Sequence, residues 1–348
     1  MQYRYFIMLS LLILLTNPVY SDSTNTPNWT EMGKSALYEG KYNESLMYFD
    51  NAIQEGRDLF AAYNNKGVTL LRLGRCAESI SSFKAALQED PQKSNVFLNL
   101  ALAQKCSGDR TEAYESIYQG LNSTPDHAGL LLVRSIMERE DGIYQEALNS
   151  INLSIAIEPE NPELYLEKSN TLYMSDDFPG SYEAILMASN LSPNNTQIFF
   201  NKGVIEEQLQ QYRDAINSYD QVLSFDPNHV KALFNRASIY WIHNRFKESL
   251  HDFTRVVEID PSFSEAWYYR GLSEKNLGLF NESTESFQKA VMLDPGNQEY
   301  RAYADHYESL PSKQQRRPIP IPIIAPIIGV MAGLNLYSKR KNLLKSNN

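Results

Sequence analysis

Cysteine is nearly absent from this chain: Cys76 and Cys106 are the only two among 348 residues. Two thiols are too few for a disulfide framework, so packing must hold the fold. Histidine is also scarce. His127, His229, His243, His251 and His306 show no ligand spacing on one helix face, so no metal site is expected. A Gly-rich phosphate loop, a nucleophile elbow and a Ser/His/Asp set are all missing, which leaves no catalytic residue to assign and no cofactor to expect. Acid is missing from both ends. Every Asp and Glu lies between residues 22 and 310, whereas eight of the 32 Lys and Arg lie outside that span. The interior therefore sets 24 basic residues against 42 acidic ones, a net charge of −18 within a chain total of −10. Such a body repels phosphate backbones and argues against nucleic acid as a partner.

Long apolar runs are confined to the two ends. Tyr5 to Leu15 is apolar but too short to span a bilayer. Arg4 precedes it, Asn17 and Pro18 break it, and Val19 and Ser21 place small residues at −3 and −1 of a cut before Asp22. The pattern predicts a secretory signal peptide over 1–21, with an uncleaved anchor as the alternative. Residues 311–317 read as a basic linker. Pro318 to Tyr337 is uncharged and mostly apolar, and the tail 338–348 is basic. As a helix, Ile319 to Tyr337 would span about 28 Å against a hydrocarbon core of about 30 Å. Pro318, Pro320 and Pro322 forbid a regular helix at its start. The segment reads as a retained membrane anchor or a C-terminal processing signal, with an apolar packing segment as the third reading. An exported protein, held at the extracytoplasmic side by its C-terminal segment, is the expectation.

Between these ends one pattern recurs every 34 residues. Pro91, Pro125, Pro159, Pro193, Pro227, Pro261 and Pro295 share one spacing, and only the first unit lacks the proline, having Arg57 instead. The units run 26–59, 60–93, 94–127, 128–161, 162–195, 196–229, 230–263 and 264–297 without insertion. Place 4 is large and apolar, from Trp29 and Tyr63 to Trp267. Place 8 is small (Gly33, Gly67, Ala101, Ser135, Ser169, Gly203, Ala237, Gly271). Place 20 holds only Ser or Ala, and place 24 holds an aromatic residue or Ile. Each half-unit thus predicts an amphipathic helix of about three turns. Small residues let two helices approach, and large ones fill the space beside them. Proline stops the second helix. A single pair cannot bury its apolar face, but a stack can. Residues 298–310 predict a more polar capping helix.

These columns resemble those of the tetratricopeptide repeat family over Thr26 to Asn297. The resemblance implies an all-α, right-handed superhelical solenoid of eight helix-turn-helix repeats, with first helices lining a concave groove and second helices forming the convex back. It also implies a non-enzymatic scaffold for protein–protein interaction. At place 5, expected to face the groove, stand Leu98, Leu132, Leu166, Phe200, Phe234 and Tyr268, with Val68, Leu102, Ile136, Tyr173, Val204 and Trp241 near them. One reading is an apolar track for an extended peptide, with Phe200, Phe234, Trp241 and Tyr268 as anchors. The other is packing against neighbouring repeats. Asn65, Asn99, Asn201 and Asn235 share place 6 and could bond a ligand's backbone. Asn170, Asn201 and Lys231 match three of the five residues of the carboxylate clamp of co-chaperone members. Leu166 and Asn235 stand where that clamp has Lys and Arg, so one cation remains.

Seven Asn-x-Ser/Thr sequons suit an exported chain: Asn28, Asn43, Asn122, Asn152, Asn190, Asn194 and Asn281. All but Asn28 fall in second-helix halves, which would keep sugar off the groove. Cys76 stands where most other repeats have Tyr or Phe, so it packs or, with Cys106, forms a bridge. Two functional readings follow. The first is a peptide or partner protein held in the groove outside the cytoplasmic membrane. The second is a structural subunit of an envelope or surface complex, using its convex face or array ends.

Overall fold

The computed structural model describes residues 27–308, which form seventeen α-helices and no strand. The expected signal peptide and everything expected beyond residue 310 lie outside these residues. Among the described residues no helix is long and apolar enough to cross a membrane. The chain divides after Pro91 into two compact units, each a stack of the same helix pair.

The first unit comprises α1 (Trp29–Tyr38), α2 (Tyr42–Gln54), α3 (Leu59–Arg72) and α4 (Cys76–Glu89). Each helix packs on the next, and α1 also touches α3. Phe49, Leu70 and Phe83 are fully enclosed. The small residues at place 8 have a direct cause. A Cβ on Gly33 would stand 2.5 Å from the Phe49 ring, and one on Gly67 2.6 Å from the Phe83 ring. The serine at place 20 adds a bond that the pattern alone does not reveal. Ser45 Oγ donates to the Gly33 carbonyl at 2.9 Å, and Ser79 Oγ to the Gly67 carbonyl at 2.7 Å. Both links lie in the interior, where an unbonded hydroxyl would be destabilising.

The second unit begins with α5 (Ser94–Ser107), α6 (Arg110–Ser123), α7 (Ala128–Glu140), α8 (Tyr144–Ile157), α9 (Pro162–Met174) and α10 (Phe178–Leu191). It continues with α11 (Thr196–Gln208), α12 (Tyr212–Phe225), α13 (Val230–Ile242), α14 (Phe246–Ile259), α15 (Ser264–Asn276), α16 (Phe280–Leu293) and α17 (Gln298–Glu308). Each first helix packs on its own second helix, and each second helix on the following first helix. The arrangement is an all-α solenoid of helix pairs. The cap α17 closes it by burying Tyr300, Tyr303 and Ala304 against Tyr268 and Phe287. Here too large and small residues alternate by partner. Where place 24 is Tyr219 or Phe287, place 8 is Gly203 or Gly271, and an added Cβ would meet the ring at 2.6 or 2.8 Å. Where place 24 is Ile117, Ile151 or Ile185, place 8 carries Ala101, Ser135 or Ser169.

Helix ends follow local chemistry. The residue before each recurrent proline is pushed out of the helical region, as at Asp90 (φ −143°) and Asp226 (φ −130°), and the second helix stops there. In the first repeat, which has Arg57 in place of proline, Gly56 ends α2 at φ +69° instead. Place 15, between the two helices of a pair, is left-handed in every repeat. Five repeats use glycine there. The others force Asp176, Gln210 and Asn244 to φ 66°, 59° and 58°.

Candidate functional site

The residues expected to form an open apolar track are mostly enclosed. Leu98, Leu132, Phe200, Phe234 and Tyr268 are buried, and Leu166 is half-buried. Phe234 stacks on Phe263 at 4.8 Å and meets Phe253 edge-on at 5.4 Å. Phe200 lies 5.2 Å from the His229 ring. Tyr268 stacks on Tyr300 at 4.8 Å and donates its hydroxyl to Glu299 at 2.8 Å. Of the two readings of these aromatics, packing between neighbouring repeats is the one their burial fits. At Phe234 and Tyr268 the chain that follows packs directly on the place-5 ring, through Phe263 and Tyr300.

The first-helix face of the second unit also carries a polar ladder. Gln197 Nε2 donates to Asn201 Oδ1 at 2.6 Å, and Asn201 Nδ2 donates to Asn170 Oδ1 at 3.0 Å. Among the described residues the Asn170 amide nitrogen has no acceptor and Gln197 Oε1 no donor, so the ladder is open at both ends. Two members of the clamp-like set, Asn170 and Asn201, are thus joined, and burial draws the pKa of the third, Lys231, down. Asn235 turns inward, donating to the Tyr219 hydroxyl at 3.0 Å. Tyr219 in turn donates to Glu207, whose carboxyl burial pushes up to about 7 despite that bond. Asn99 is half-buried on α5, and Asn65 is buried in the first unit.

A second polar system was not foreseen. At places 7, 11 and 23 a cation, a buried acid and a serine recur. Ser150 donates to Glu138 at 2.7 Å, Ser218 to Glu206 at 2.5 Å and Ser286 to Glu274 at 2.7 Å. Arg134, Lys202 and Arg270 stand 2.8, 2.9 and 3.0 Å from the same three acids. In the seventh repeat the acid changes helix. Arg236 bonds Asp252 on α14 at 2.7 Å, and Tyr240 stands where the fourth, sixth and eighth repeats have Glu. Aligned column by column, the three places hold the full set only in the fourth, sixth and eighth repeats, so no constant column betrays it. These groups face one another inside each pair, so they hold helices together rather than present chemistry.

Two histidines have a structural post. Their Nδ1 atoms accept from backbone N–H groups at the starts of α7 and α13, His127 from Leu130 at 3.2 Å and His229 from Ala232 at 3.1 Å. Asn161 and Asn195 do the same for α9 and α11. Among the described residues no group of His, Cys, Asp and Glu is set to hold a metal ion. All seven sequon asparagines are exposed. Neither Cys76 nor Cys106 is a free thiol.

Comparison with known proteins agrees with this architecture. Matches described as tetratricopeptide repeat cover residues 30–94, 200–262 and 264–297. A structure concerned with pilF of Pseudomonas aeruginosa aligns with a TM-score of 0.54 at 15% identity, covering 61% of this chain and 97% of its own. A tetratricopeptide repeat protein from Parabacteroides merdae aligns at 0.50 and 16% identity, covering 72% of this chain and 99% of its own. The Cut9–Hcn1 hetero-tetramer of APC/C aligns at 0.54 and 10% identity, covering 76% of this chain and 52% of that one. At such identities the likeness establishes the fold alone. No curated protein matches the chain.

Proposed function

We propose, from the tetratricopeptide repeats that this chain carries, that it is a non-enzymatic scaffold whose first-helix face holds a peptide or partner protein. The open amide ladder Gln197–Asn201–Asn170 carries the reading. A donor at one end and an acceptor at the other match the alternating carbonyl and N–H groups of an extended backbone. The test is capture of membrane-associated partners by the full-length protein and by Asn170→Ala/Asn201→Ala. Loss of a partner with unchanged helical circular dichroism is the expected result. Retention of every partner would sink the reading.

The sequence adds where this happens. The 1–21 segment and the exposed sequons support export, and the 318–337 segment supports attachment to the membrane from the outer side. Protease added to intact cells then degrades the repeat body, and a body left whole in intact but not lysed cells would place it inside. In an oxidising compartment the Cys76–Cys106 bridge is also expected, seen as a gel mobility that changes with reductant.

One observation favours the assembly reading as a second possibility. Leu153 and Ile157 on α8, Met187 and Leu191 on α10 and Phe225 on α12 form exposed apolar positions on consecutive second helices. Asn152 and Asn190 adjoin Leu153 and Leu191 in sequence. Sugars on those two asparagines would screen the ridge, so glycopeptide mapping separates the readings. Occupied sites favour the first-helix face, and vacant ones leave the ridge open for another subunit.

A further inference from the structure

In three repeats of the second unit, place 12 of the first helix meets place 6 of the next first helix. Arg139 bonds Glu167 twice, at 2.6 and 3.3 Å. Trp241 packs edge-on against Tyr269 at 5.8 Å. In the last repeat the residue is Lys275, and its ammonium faces only the Tyr303 ring, 5.5 Å from the centroid. Lys275 is 6% exposed, yet among the described residues no carboxylate or carbonyl bonds it. The indole Nε1 of Trp241 is likewise enclosed and without an acceptor. These are two unsatisfied donors at the same place of consecutive, touching helices.

We propose that Lys275 and the Trp241 indole N–H form a subsite that accepts a carboxylate carried by the segment bound along the first-helix face. The proposal rests on the peptide-holding reading above. An ammonium enclosed by Tyr303 and its aromatic neighbours is unfavourable until an anion arrives, and the aromatic wall that excludes water strengthens the pair once it has formed. Burial draws the Lys275 pKa down, with no acid opposing it. The adjacent acid, Glu274, is already taken by Ser286 at 2.7 Å and Arg270 at 3.0 Å. The Trp241 donor, one repeat away, takes a second oxygen of the same segment. This arrangement differs from the clamp-like set Asn170, Asn201 and Lys231 in both its residues and its register.

The test uses the full-length protein labelled with 15N-tryptophan. Three indole N–H signals are expected, from Trp29, Trp241 and Trp267, and Trp241→Phe identifies one. N-acetylglutamate should move the Trp241 signal, N-acetylglutamine should not, and inorganic phosphate should act more weakly than N-acetylglutamate. Lys275→Met, which keeps the stem, should weaken the N-acetylglutamate response about tenfold or more. The same variant without ligand should melt at a higher temperature than the wild type, because an unpaired buried charge is gone. A silent Trp241, a response unchanged in Lys275→Met, a tighter response to phosphate, or a lower melting temperature for Lys275→Met would each overturn the subsite. If Trp241 is silent while Asn170→Ala/Asn201→Ala still loses its partner, the subsite fails and the peptide-holding reading stands.

Discussion

Arg139 and Lys275 occupy the same place in the repeat, four repeats apart, and meet different fates. Arg139 finds Glu167, a side chain only 7% exposed, and the two-bonded pair is further tied to Thr171, whose hydroxyl donates to the Glu167 carbonyl at 2.9 Å. Lys275 finds a tyrosine ring. Near the start of the second unit, charge is neutralised within the protein, as it is again where Lys105 and Arg110 share Glu140 at 2.8 and 3.1 Å. Near its end, polar groups are left incomplete: Trp241 Nε1 and Lys275 are enclosed, and Glu265 is half-buried, its carboxyl pushed up to about 7 by that burial. Completed pairs contribute to the fold. Incomplete ones destabilise it, and a ligand can reverse that effect.

The largest expected effect breaks the completed end. Arg139→Met strands the Glu167 carboxylate and should lower stability by about 3 kcal/mol in urea titration. The double variant Arg139→Met/Glu167→Leu should recover much of that loss. A single variant as stable as the wild type would erase the contrast between the two ends. At the incomplete end the sign reverses. The folded-state pKa of Glu265, about 7, lies above the ordinary carboxylate value, so the folded protein holds the proton more tightly than the unfolded chain. Stability from this group therefore falls as pH rises from about 4.5 through 7. Glu265→Gln should then stabilise by about 2 kcal/mol at pH 8, with the difference vanishing near pH 4. A gain that persists at pH 4 would assign the effect to packing. The smallest change is a backbone control. Gln210→Gly relaxes a left-handed residue at φ 59° and should add about 1 kcal/mol, independent of pH.

The parts of the fold that could be read from the sequence are those whose residue class stays constant from repeat to repeat. Places 4, 8, 20 and 24 and the recurrent proline each hold one kind of side chain because each serves one contact, such as the Phe49 ring lying on Gly33. The acid–serine–cation triad was not visible because its members move. Gln104 replaces Glu in the third repeat, and Asp252 carries the acid on the other helix in the seventh. The two readings of place 5, track and packing, could not be separated in the sequence for a geometric reason. A helix arc that faces solvent in an isolated pair faces the next helix in a stack, and periodicity alone cannot separate the two. Phe234, seated on Phe263 of the following loop, is the clearest instance. The left-handed Gln210 also gave no signal, since glutamine is not a residue that advertises such a turn.

The extended residue and proline that close each second helix from the second repeat onward also act as a length gauge. Adding a single residue between Asp226 and His229 would rotate α13 by about 100° about its axis. That rotation would carry Phe234 away from its seat and the Arg236 guanidinium away from Asp252. An epitope tag or fluorescent reporter spliced into this link should therefore disorder everything that follows it, whereas point changes among its exposed residues should pass almost unnoticed.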